Sequence, residues 1–133
     1  MKYMLIFARD ESKMYEGTEE ERKAAMEAWT EFDRQAVEAG ALIACEPLER
    51  PATATTLRRE SGRAVVTDGP FAETKEQVGG FALLECRDSD EAMEWGQRVP
   101  AFEGAIEVRK VIDLSPWGYE SSTVPPAKAR TTA

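Results

Sequence analysis

The chain has no histidine. That absence removes imidazole acid–base chemistry, Ser-His-Asp and Cys-His nucleophile systems, and any metal site that needs an imidazole ligand. Catalysis, if present, has to run on carboxylates, lysine, tyrosine, cysteine or backbone groups. Cysteine is scarce: Cys45 and Cys86 are the only two in 133 residues. Each lies in a strand-like apolar run, where a free thiol packs as a small hydrophobe. Two such thiols suit a reducing compartment better than a disulfide, so a cytoplasmic location is expected. Basic clusters are missing too. Seventeen Lys and Arg against 25 Asp and Glu give a net charge of -8, and the largest basic group is Arg58-Arg59. The electrostatic footprint of a nucleic-acid binder is therefore absent. The longest apolar runs, Met4 to Ala8 and Ala41 to Cys45, fall far short of the roughly 20 residues of a membrane helix. With one Lys and five apolar residues before a charge arrives, MKYMLIFARDE reads as a first strand rather than a signal peptide. No Walker A loop or G-x-G-x-x-G fingerprint occurs, and no cofactor or metal is called for.

What remains is 42% hydrophobic and 32% charged, the balance of one folded domain with its own core. Residues 2 to 8, KYMLIFA, are apolar on both alternating faces and predict a strand covered on both sides. Thr18 with Glu21 is a capping-box pattern, and Glu19 and Glu20 place negative charge where the helix dipole favours it. A helix is predicted from Thr18 to a C-terminal stop at Gly40. Ala25, Trp29, Phe32 and Ala36 form its apolar stripe, with Met26 and Val37 on the shoulder and Asp33 bordering it. ALIAC, from Ala41 to Cys45, is a second strand. Thr53 to Leu57 and Ala64 to Thr67 flank Glu60-Ser61-Gly62 as a hairpin, a partly exposed ribbon. Gly80 to Cys86 is a third strand, apolar on both faces. Asp88 and Glu91 start a second helix with Ala92, Trp95, Gly96 and Val99 on one face, and Pro100 stops it. Ile106 to Ile112 is a last strand. From Ser115 to Ala133 the pattern loses periodicity, which predicts a flexible C-terminal tail after a domain spanning residues 1–114.

The order β-α-β, hairpin, β-α-β is that of an α+β ferredoxin-like βαββαβ fold with an inserted β-hairpin. Two helices cover one face of such a sheet, while three strands are apolar on both. The second face, left open, is larger than a soluble monomer usually exposes, so a homodimer with the sheets face to face is expected.

Val65 to Phe81, VVTDGPFAETKEQVGGF, is the most distinctive passage. Asp68-Gly69-Pro70-Phe71 reads as a strand-ending turn that fixes the direction of Phe71. Ala72 to Gln77 has helix-tolerant composition and reads as a short turn. Gly79-Gly80 lets the chain re-enter the sheet or approach another backbone closely. These residues, with MKYMLIF at the start, ATATTLRRESGRAVV before them, and DEAMEWGQRVP and IEVRKVIDL after them, resemble the DGPF-domain proteins of the YciI-related family. The resemblance covers residues 1 to 114. It implies a dimeric α/β barrel with a cleft between helices and sheet or at the dimer junction. It also implies a link to extracytoplasmic-function sigma factors, beside which many members are encoded. Relatives of the YciI type have a proposed catalytic pair, a His on the first helix and an Asp near the motif loop. Those positions correspond to Trp29 and Asp68 here. Without the imidazole, that proton transfer is not carried over.

The candidate acids are Asp68, which is either a turn-forming residue or a ligand-facing carboxylate, and Asp33, which is either a rim residue or a functional acid. Candidate binding residues are Trp29, Glu46, Phe71, Glu73, Lys75 and Trp95. Glu46, before Pro47, is expected near Asp68, and Trp29, Phe71 and Trp95 supply core or apolar pocket walls. Two functions follow. The first is a dimeric protein that binds a small-molecule ligand or acts in regulation. The second is a small-metabolite enzyme, of isomerase, lyase or dehydrochlorinase type, using carboxylates alone. That second reading rests on fold analogy.

Overall fold

A computed structural model describes residues 1–13, 16–100 and 103–123. Its elements in chain order are β1 (Lys2–Asp10), α1 (Glu19–Glu38), β2 (Leu42–Pro47), β3 (Thr55–Glu60), β4 (Arg63–Asp68), β5 (Glu76–Glu85), α2 (Ser89–Arg98) and β6 (Ala105–Lys110). Both helices begin at their capping residues. Thr18 Oγ1 accepts from the Glu21 amide at 3.1 Å and donates to Glu21 Oε1 at 3.2 Å, and Asp88 Oδ1 accepts from the Glu91 amide at 2.9 Å. Helix α1 stops where Gly40 adopts φ 72° and lets the Ala41 amide reach Ala36 O at 2.9 Å. No described helix is long and apolar enough to cross a membrane.

The sheet is antiparallel, with strand order β2-β5-β1-β6, and β3 and β4 form a separate two-stranded ribbon. This mixed α+β arrangement is compatible with a ferredoxin-like fold carrying an inserted hairpin. The ribbon turns at Ser61 (φ 50°) and Gly62 (φ 78°), two successive positive φ values as a tight primed turn requires.

Tyr3, Leu5 and Phe7 of β1 face the helices together with Ala82 and Leu84 of β5. They meet Phe32 and Ala36 of α1 and Ala92 and Trp95 of α2. The opposite face carries the register pairs Met4 with Leu83 and Ile6 with Phe81. These residues are half-buried, and both helices pack on the other side.

Some boundaries differ from the sequence reading. Strand β5 begins at Glu76, and the segment from Ala72 to Gln77 is not helical. Gln77 Nε2 donates to Ala72 O at 2.9 Å and Thr74 O at 3.0 Å, tying the loop down while Gln77 pairs with Arg9 in the sheet. Thr53 lies in a 3-10 turn, its hydroxyl on Arg50 O at 2.7 Å, so β3 starts two residues later than read. Strand β6 ends at Lys110, leaving Ile112 exposed. Of the tail, Ser115–Trp117 forms a 3-10 turn and Ser121 Oγ accepts from Lys2 Nζ at 3.0 Å. Residues 124–133 of the expected flexible tail lie outside the described residues.

The two helices sit on the sheet differently. A Cβ added at Gly96 of α2 would lie 3.7 Å from Val108 Cγ2 and 4.0 Å from Leu5 Cδ2, so that helix rests close against β6 and β1. In α1 only the C-terminal half of the predicted stripe, Phe32 and Ala36, is buried. Ala25 is exposed, Met26 is 66% exposed, and Trp29 is half-buried. The N-terminal half of α1 stands off from the sheet on bulky aromatic side chains.

Candidate functional site

The stand-off leaves a cleft of about 410 Å³ between α1 and the ends of β1, β2 and β5. That size falls within the range of small-molecule sites, ~300–1,000 Å³. Phe7, Met26, Trp29 and Pro47 provide apolar walls. The rings of Phe7 and Trp29 are 5.3 Å apart and tilted at 55°. Trp29 continues edge-on to Phe32 at 5.8 Å, and Phe32 to Trp95 at 6.0 Å. A chain of aromatic contacts thus couples the wall of the cleft to the centre of the core.

The glycine pair of the motif shapes the other side. A Cβ at Gly80 would come within 2.8 Å of Glu46 O and 3.3 Å of Pro47 Cα. Only glycine lets β2 close on β5 there, and the Leu48 amide then donates to Gly79 O at 2.9 Å. The end of β2 is thereby fixed at the cleft.

Three polar side chains line the interior: Arg9, Asp33 and Cys45. Asp33 lies one helical turn beyond Trp29 and on the same face. Its Oδ1 is buried and, among the described residues, has no hydrogen-bond partner. Burial pushes the Cys45 thiol up to about 12, helped by the negative charge of Asp33 and by the thiol's hydrogen bond to that carboxylate. Cys45 therefore stays protonated at neutral pH and is not a nucleophile. Arg9 Nη2 donates to Lys13 O at 3.2 Å, and its Nε, like Asp33 Oδ1, is buried. Among the described residues no group of three or more Cys, Asp and Glu side chains is placed to hold a metal ion.

The YCII-related domain model matches residues 1–115. The chain belongs to the YCII-related family. It is also 36% identical over 119 residues to an uncharacterized protein of Rhizobium meliloti (strain 1021), across 87% of this chain and 96% of that protein.

In this YCII-related protein the site residues read from the sequence are distributed over several places. Trp29, Asp33 and Glu46 come together at the α1 cleft, with Glu46 exposed at its rim. Asp68 is not in that lining. It is exposed at the end of β4 opposite Thr55, so Glu46 and Asp68 do not share the cleft. The Asp68 turn is closed by the Gly69 amide on Ala54 O and by Thr56 Oγ1 on Gly69 O, both at 2.7 Å. Phe71, read as a core or pocket wall, is 74% exposed. Its direction is set by Arg58 Nη2, which holds Phe71 O at 2.7 Å beside the ribbon. Glu73 is exposed nearby. Lys75 borders a separate, open and polar depression of about 470 Å³ with Asp10, Lys13 and Glu103. Trp95 is buried in the core, under the Arg98 guanidinium, which lies 4.5 Å from its ring centroid.

Sequence reasoning missed Phe7, Arg9 and Cys45 as cleft residues. Phe7 and Cys45 looked like ordinary strand interior, and Arg9 like the first residue of a charged loop. Pairing of β1 with β5 and of β5 with β2 brings them together, and that register is not written in any local pattern.

Proposed function

We propose that this YCII-related protein binds a small organic molecule in the α1 cleft and acts as a dimeric cytoplasmic regulator. One observation carries the reading: an apolar, aromatic-walled cleft closes on a carboxylate whose buried oxygen has no partner among the described residues. The open sheet face, with Met4, Ile6, Phe81 and Leu83 half-buried, supports a homodimer that joins two ferredoxin-like sheets into an α/β barrel. A functional link to an extracytoplasmic-function sigma factor is supported by the sequence resemblance. A second reading keeps Asp33 as the proton-transfer group of a small-metabolite enzyme, supported by the same carboxylate in apolar surroundings.

The test is a thermal-shift screen of the full chain and of Trp29→Ala against a diverse small-molecule library, with sedimentation to report assembly. The expected result is a set of ligands that raise the Tm of the parent protein and lose that effect in Trp29→Ala. Ligands indifferent to Trp29→Ala, or no ligand at all, would remove the cleft from consideration. A chain that sediments as a monomer would remove the dimer.

A further inference from the structure

We infer that the α1 cleft selects a protonated amine carried on a compact aromatic or aliphatic body, with the ammonium group donating to Asp33 Oδ1. The inference rests on the cleft being the ligand site and specifies what enters it.

A buried polar atom without a hydrogen bond costs about 1–3 kcal/mol, and more when the group is charged. Folding has placed Asp33 Oδ1 in that position, in the lining of a largely apolar cleft. Two further polar side chains, Arg9 and Cys45, line the same space. Arg9 directs Nη2 to Lys13 O, and the Cys45 thiol is directed at the Asp33 carboxylate and keeps its proton because burial raises it to about 12. A donor that arrives with a ligand satisfies Asp33 Oδ1, and a cationic donor matches a carboxylate best in surroundings of low polarity.

The walls agree with that choice. Trp29, one turn before Asp33, and Phe7, 5.3 Å from its ring, present aromatic surface beside the carboxylate. Aromatic faces attract ammonium groups and accept an apolar ligand body equally well. Glu46 adds negative charge at the rim, and the net charge of -8 favours the approach of cations.

Three matched probes test the inference by calorimetry on the full chain: 2-phenylethylamine, 2-phenylethanol and 3-phenylpropanoate. The Trp29 indole N–H resonance, assigned with Trp29→Phe, reports entry into the cleft. The amine should bind about 10- to 100-fold more tightly than the alcohol, and the carboxylate most weakly. Asp33→Asn, nearly isosteric, should erase the preference for amine over alcohol while the alcohol still shifts the Trp29 signal. Asp33→Ala provides the same comparison if the amide variant folds poorly. Equal binding of amine and alcohol, a preference for the carboxylate, or an amine preference that survives both substitutions overturns the inference and leaves the cleft as a site. Failure of all three probes to shift the Trp29 resonance overturns the cleft reading along with it.

Discussion

Helices α1 and α2 start from the same kind of capping box and carry the same kind of apolar stripe, yet one is seated on the sheet and the other is propped above it. In α2 the contact positions are Ala92, Trp95 and Gly96, and the small ones let the helix backbone approach Leu5 and Val108. In α1 the corresponding contacts are made by Trp29 and Phe32, whose rings act as spacers. Each helix buries one aromatic and one alanine, Phe32 and Ala36 or Trp95 and Ala92, and the difference lies in the further contact position, Gly96 in α2 against the half-buried Trp29 in α1.

The comparison can be broken most severely beneath α2. Leu5→Ala should destabilise the protein by about 2–5 kcal/mol in urea unfolding, because Leu5 is fully buried and the close-set helix leaves little room to collapse. Trp29→Ala removes a larger side chain but should cost only about 1–2 kcal/mol, since half-burial withdraws less surface from water. If the two costs prove equal, α1 is not held off the sheet in solution.

The thiols sharpen the contrast from the other direction. Cys45, under α1, is pushed up to about 12, and Cys86, just before α2, to about 11, from an ordinary value of 9.0. Burial is the main cause for both. Unfolded thiols ionise as pH rises through 9 while the folded ones keep their protons. Their effect on stability is therefore nil well below pH 9 and becomes destabilising between there and 11 to 12. Each should contribute a loss of at most about 1.4 kcal/mol per pH unit in that window. Unfolding measured at neutral pH and at pH 10 should show a steeper decline for the parent than for Cys45→Ala or Cys86→Ala.

The smallest effect is a gain. A Cβ at Gly96 would meet its neighbours at 3.7 Å and beyond, which is ordinary contact. Gly96→Ala should therefore raise stability by about 0.5–1 kcal/mol through helix propensity, whereas a larger side chain there should prise α2 away. A loss on Gly96→Ala would mean that α2 sits closer still.

Much of the architecture was legible because its signals are local. Thr18 with Glu21, Asp88 with Glu91, the alternation in KYMLIFA and the Ser61-Gly62 turn each state their structure within a few residues. The seating of α1 was not legible. A helical wheel puts Ala25, Trp29, Phe32 and Ala36 on one stripe whether that stripe meets a sheet or a cavity. The cleft was half legible: Trp29, Asp33 and Glu46 were singled out, while Phe7, Arg9 and Cys45 needed strand register to bring them there. Asp68 and Phe71 attracted notice because their turn chemistry is distinctive. Distinctive turn chemistry describes a bend in the chain, however, and says nothing of what lies across from it.

The ribbon offers something of practical value. Its tip, Ser61-Gly62, is exposed at the end of the two arms β3 and β4, and the hydrogen bonds that anchor the ribbon come from Gly69 and Thr56 at its base and from Arg58 halfway along β3. Sequence added at that tip should perturb neither the four-stranded sheet nor the α1 cleft. The chain therefore contains a natural splice point, where a peptide tag or a fluorophore could be carried without disturbing either.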